Sequence, residues 1–260
     1  MAKAKAKTEG TELAKVAATE TAIAVPDTLK GGLVIDGDDG SGSASDIGRL
    51  ICYQGTPTEE KKYGNPRDTG FARGDFVDPL ALRIIGQKVK VMFVGGWMEW
   101  VNWPKDSPQP IYRFRNKAEV PTEDLEWDRS STPNRPPVAR EVVNAICVVG
   151  DENGNVEPWP YVFVFKSTSL QTWDRVIKPM EGRRRTLGKG PGSFWLTTKD
   201  DKNGQGQDFK RVVASFAGDP DAAMLTLGAT IKAGIAGIQA AAEQVVKDAE
   251  TDPDGDGIPI

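Results

Sequence analysis

Apolar residues alternate with polar ones from Lys88 to Val94, and the run is rich in β-branched side chains, which predicts a strand. Glu141–Val149 and Trp159–Lys166 predict two more, separated by the turn-forming run Gly150-Asp-Glu-Asn-Gly-Asn155. The period then changes. Leu170, Trp173, Val176 and Ile177 fall on one face of a helix that Ser167-Thr-Ser169 can cap. That helix is expected to run to about Lys178, with Pro179 past its end. Ser193–Thr198 and Phe209–Phe216 return to strand, joined by the hairpin signal Lys199-Asp-Asp-Lys-Asn-Gly-Gln-Gly206. Finally, Pro220–Ala249 is Ala-rich and helix-forming, interrupted by Gly228, Gly234 and Gly237, so it is two helices or one kinked helix.

Between these elements the chain is less regular. Residues 1–45 read as a flexible arm, and the Gly- and Pro-punctuated run from Asp46 to Asp78 reads as loop. Gly95–Arg140 reads as a long insertion holding Trp97, Trp100, Trp103 and Trp127, with a short strand at Ile111–Arg115. The order strand, strand, strand, helix, strand, strand is that of an OB-fold barrel. The expected fold is therefore a β-rich α+β protein: an OB-like barrel with a large insertion, a C-terminal helix and a disordered acidic tail. Another mixed β-rich domain would satisfy the same order. The expected divisions are an arm at 1–45, an OB-like body at 46–217, a helical segment at 218–249 and a tail at 250–260.

Composition narrows the chemistry. The 260 residues include no histidine, which removes the commonest general base and transition-metal ligand. Cys52 and Cys147 cannot form a zinc cluster and read as buried thiols. Asp36, Asp38 and Asp39 lie in a glycine-rich arm with no nucleophile or base at a recognisable spacing. No enzyme activity, cofactor or metal is expected. The N-terminus lacks the apolar core of a signal peptide, and Lys232 and Gln239 argue against a membrane span, so a cytosolic location is expected.

Net charge is −4, but unevenly spread. Residues 61–120 carry eleven Lys/Arg against six Asp/Glu, and residues 166–211 carry eleven against five. Residues 243–260 carry one Lys against six acids. A basic body with an acidic tail suits a nucleic-acid binder that displays a protein-docking segment; solvated charge on an ordinary domain is the plainer reading.

Three constellations could meet a nucleic acid. Trp159, Tyr161, Phe163 and Phe165 share one face of a strand and could stack on bases, unless another segment covers them. Trp97, Trp100 and Trp103 precede Tyr112-Arg113-Phe114-Arg115-Asn116-Lys117, where alternation puts cations on one face and rings on the other; some of these tryptophans must anchor the insertion. The third is a mobile basic glycine loop, Gly182–Gly192, whose Arg183, Arg184, Arg185 and Lys189 could contact phosphates or simply be solvated. It lacks the Gly-Lys-Ser/Thr ending of a nucleotide-binding loop. Trp195, Lys210 and Arg211 on the last two strands add a ring and two cations.

The chain ends Asp252-Pro-Asp254-Gly-Asp256-Gly-Ile258-Pro259-Ile260. The first six residues fit the opening of a calcium loop, but no acid follows at position twelve. A structural or interaction protein with a calcium-binding tail is one reading. The same residues resemble the acidic tip of bacterial and phage single-stranded DNA-binding proteins, where alternating or consecutive Asp lead into Ile-Pro-Phe; here Ile260 replaces the Phe. That resemblance implies an OB-fold body on single-stranded DNA, with DNA or RNA preference and self-association left open. It implies that Asp252, Asp254 and Asp256 meet basic residues of replication, recombination or repair proteins. Ile258, Pro259 and Ile260 would fill an apolar pocket there.

Overall fold

The computed structural model describes residues 47–104, 110–130, 135–188, 190–203 and 206–250. Their strands are β1 (Gly48–Cys52), β2 (Phe76–Asp78), β3 (Arg83–Gly86), β4 (Val89–Asn102), β5 (Tyr112–Phe114), β6 (Ala139–Gly150), β7 (Tyr161–Lys166), β8 (Ser193–Lys202) and β9 (Asp208–Gly218). The helices are α1 (Pro57–Tyr63), α2 (Pro66–Thr69), α3 (Thr122–Leu125), α4 (Leu170–Leu187), α5 (Ala222–Ala233) and α6 (Ile235–Glu250). The strands form one nine-stranded sheet in the order β3-β2-β1-β7-β6-β4-β8-β9, with β5 beside β4. It curls strongly into a half-barrel. Every pairing is antiparallel except β1 on β7.

The backbone of the sheet is the β4–β6 ladder, which runs from Lys90↔Gly150 to Asn102↔Ala139. The register shifts between Phe93 and Gly95. A Cβ at Gly96, whose φ is 151°, would lie 2.3 Å from the Asn144 carbonyl oxygen, so only glycine lets the two backbones close there. A bulge of this kind bends its strand and increases the twist. The expected insertion at Gly95–Arg140 is therefore shorter than the Gly-Gly pair suggests: strand continues to Asn102 and resumes at Ala139.

Each face has its own cover. On the concave side Val89, Val91, Phe93, Val143, Phe163, Phe165, Phe194 and Leu196 pack against Trp173, Val176 and Met180 of α4. Fully burying side chains of this size stabilises by about 1.5–3 kcal/mol each. That explains why α4 passes through Pro179 instead of stopping before it. The Pro costs a backbone hydrogen bond, but Met180 beyond it is in the core and Gly188 ends the helix in a left-handed turn. On the convex side Met92, Val94, Trp97, Ile146, Val148 and Val162 pack against Met224, Leu225 and Ile231 of α5 and Ala242 and Val246 of α6. The C-terminal segment is thus two helices, with Gly234 between them.

The run read as loop from Asp46 to Asp78 contains β1, α1, α2 and β2, with β3 just beyond. Tyr53, Phe71 and Val77 form a small third core there. The segment after β1 reaches the edge of β9 without a strand. The Gln54 side-chain amide plays that part: Nε2 donates to the Lys210 carbonyl at 2.9 Å and Oε1 accepts from the Lys210 N–H at 2.8 Å. Thr172 Oγ1 of α4 donates to the Val212 carbonyl at 2.7 Å.

Gln54→Ala leaves both Lys210 backbone groups without a partner and should destabilise the fold by about 1–3 kcal/mol in urea denaturation. Amide exchange at Lys210 should accelerate, while exchange along the centre of β4 stays unchanged.

Candidate nucleic-acid interface

The β4–β5 ribbon gathers most of the candidate residues. Pairing sets Trp100 opposite Phe114 and Asn102 opposite Tyr112, so these side chains share the concave face with Met98. Tyr112 and Phe114 stack at 4.7 Å between centroids, and all three rings are half-buried. The Tyr112 hydroxyl donates to Asp124, which also accepts from Asn102 Nδ2 at 3.2 Å. Burial and that carboxylate push its phenol up to about 12.

The convex face of the ribbon carries the cations. Arg113 Nη1 donates to Glu99 Oε1 at 2.9 Å, and its guanidinium lies 5.7 Å from the centre of the Trp103 ring. Arg115 sits 5.2 Å over Trp97 and pairs with Glu243 of α6. Lys117 is exposed just beyond. The expected separation of rings and cations thus holds for residues 112–115, whereas Trp97 and Trp103 lie with the cations, Trp97 2% exposed in the convex core.

Inward along the same convex face lies a polar strip that the sequence reading missed. Asn144 on β6 lies opposite Trp97, and its Nδ2 donates to Glu99 Oε1 at 2.9 Å. Lys166 ends β7 opposite Val142, and Arg49 on β1 pairs with Val162. Burial and then the nearby Arg49 charge hold the Lys166 ammonium down at about 8, with Arg113 and Lys62 adding to the repulsion and Glu59 opposing it. The signal was present in the sequence only as a charged residue at the last position of a hydrophobic strand.

Other candidates are placed elsewhere. Tyr161 and Phe163 are 0% and 3% exposed, and Phe165 is fully buried, so the expected stacking row is a correction: α4 occupies the face it was to offer. The Tyr161 hydroxyl accepts from Trp159 Nε1 at 2.8 Å and from Arg83 at 3.0 Å. Arg83 also stacks over Trp159 at 5.4 Å, so that ring is tied to the β3 edge. Arg183, Arg184 and Arg185 are not on a mobile loop but on the last turns of α4, where cations suit the negative end of the helix dipole. Arg183 is held by Asp219 and the Phe216 ring, while Arg184 and Arg185 are exposed. Lys88 covers the half-buried Trp195 at 4.3 Å. Trp195 lies opposite Lys90, roughly 30 Å along β4 from Trp100 at ~3.3 Å per residue. Lys210 and Arg211 pair with Asp200 and Asp201 across their hairpin at 2.9 Å and 3.2 Å. Lys189, Asp252, Asp254, Asp256, Ile258, Pro259 and Ile260 lie outside the described residues.

Among the described residues no three His, Cys, Asp or Glu side chains group as metal ligands, and no single helix is long and apolar enough to cross a membrane. No family model, curated protein or solved structure matches this chain.

Lys166 makes a signed pH prediction. Its folded-state pKa lies below the ordinary 10.5, so between pH 8 and 10.5 the unfolded chain binds a proton that the folded chain has released. Stability from this group therefore rises with pH across that window, and the penalty is fully present below it. The half-buried Cys52 and the buried Tyr161, pushed up to about 12, act in the opposite direction at the alkaline end. The difference in urea midpoint between wild type and Lys166→Met isolates the Lys166 contribution. The variant should gain most below pH 8, and its advantage should shrink towards pH 10.5.

Proposed function

We propose that this chain binds single-stranded DNA with little sequence preference and recruits replication, recombination or repair proteins through its acidic C-terminal tip. The observation that carries the reading is the β4–β5 ribbon. It offers half-exposed rings at Trp100, Tyr112 and Phe114 on one face and Arg113, Arg115 and Lys117 on and beside the other. The edge of β5 away from β4 has no strand beside it among the described residues. A single strand following that edge turns its phosphates to the cations and its bases to the rings. Stacking of this kind is sequence-tolerant and contributes about 1–3 kcal/mol per base.

The strand order supports an OB-like body. If β4, β6, β7, β8 and β9 are numbered one to five, the sheet path β7-β6-β4-β8-β9 puts the first strand between the second and the fourth, with α4 between the third and fourth. OB folds bind oligonucleotides on the face of the second and third strands and the loops beside it. Here that is the β6–β7 face and the connection holding β5. β1 and Gln54 stand between the third and fifth strands.

The test is quenching of tryptophan fluorescence by an unstructured oligothymidylate at low salt, reversed by added salt. Trp100→Ala and Phe114→Ala should each weaken binding by roughly 5- to 150-fold. Trp195→Phe, remote from the ribbon, should leave affinity unchanged. No binding at low salt would sink the reading. A chain ending at Glu250 should bind DNA more tightly, because the acidic tail no longer competes for the cations, and should lose its protein partners.

A further inference from the structure

Arg49 is buried to 8% exposure in the convex strip, and its Nε and Nη1 have no hydrogen-bond partner among the described residues. Burying an unpaired guanidinium is unfavourable unless something compensates it. The carboxylates nearby are committed elsewhere. Glu99 accepts from Arg113 and Asn144, and Glu59 accepts from the backbone N–H groups of Gln54 and Thr56. Asp78 takes the backbone N–H groups of Leu80 and Ala81, and also that of Arg49, but not its guanidinium. Among the charges that act on the Lys166 ammonium, Arg49 is the foremost, and it is another cation. Two unpartnered guanidinium donors beneath the surface and a second cation therefore remain on the sheet face that leads from β1 across β7 towards the Glu99–Arg113 pair.

We propose that Arg49 and Lys166 together form a phosphate-binding site on this face, seating one phosphoryl group against the Arg49 donors. The chemistry suits such a ligand: guanidinium donors lie in a fixed plane that matches phosphate oxygens, and the Lys166 ammonium adds a point charge on the same face. The phosphoryl group belongs to a DNA backbone or to free phosphate. The first source rests on the reading of the protein as a strand binder; the site itself does not.

Two measurements on the full-length chain separate these possibilities: thermal unfolding with inorganic phosphate against chloride at matched ionic strength, and the salt dependence of oligothymidylate affinity. Phosphate should raise the Tm of wild type, and the rise should vanish in Arg49→Met and diminish in Lys166→Met. Arg49→Lys should keep part of it. Without phosphate, Arg49→Met should be at least as stable as wild type, because a buried uncompensated charge has been removed; this also verifies that the variant folds. If the strand supplies the phosphate, Arg49→Met should lower the slope of log affinity against log salt by about 0.7, one single-strand phosphate contact, and weaken binding equally for all sequences. A phosphate response lost in Arg49→Met, in a protein that binds no oligonucleotide, keeps the site and overturns the strand reading. Equal phosphate responses and equal salt slopes in wild type and Arg49→Met overturn the site, even if the oligonucleotide binds.

Discussion

The close approach of β4 and β6 at Gly96 is the constraint on which the rest of the structure depends. A side chain there would strike the Asn144 carbonyl, so glycine lets the two strands stay paired through a bulge from Lys90 to Asn102. The bend divides the ladder into two regions with different work. The first half is enclosed, with α4 under its concave face and α5 and α6 over its convex face. The second half carries β5, and there α6 still meets the convex face at Trp97 and, through Glu243, at Arg115.

This division accounts for the contrast between rings that are core and rings that are half-exposed. Phe93 and Phe165 lie where α4 reaches and pack around Trp173 and each other with centroid separations of 5.1–5.8 Å, with Phe163 against Phe165 at 4.7 Å. Trp100, Tyr112 and Phe114 lie on the same face further along, past the helix. The convex face changes in the same way, from Ile146 and Val148 under α5 to Asn144, Glu99 and Arg113. The helices thus determine where an apolar sheet becomes a polar, charged one, and the charged strip between them and α1 follows.

Much of the architecture was legible along the chain. The strands expected at 141–149, 193–198 and 209–216 lie within observed strands, and those at 88–94 and 159–166 begin one and two residues before β4 and β7, because alternation over a half-buried sheet leaves a local signal. The helix from Leu170 and the Ala-rich C-terminal helices did so too. β1, β2 and β3 were not legible: each has only three to five residues, and β1 is paired to a strand more than a hundred residues away. Pro179 misled for a related reason. Its local cost is real, and what outweighs it is the burial of Met180 against a sheet that sequence proximity does not reveal.

The sequence by itself determined the order of elements, the alternation of rings and cations at 112–115, and the uneven charge along the chain. Those are properties of neighbours, set by period and composition. Only the tertiary structure decided which aromatic rows are core, that the three arginines at 183–185 ride on a helix, and that Arg49 and Lys166 lie on one face. Burial and electrostatic coupling act between segments brought together by folding, and no local pattern specifies which surface will cover which.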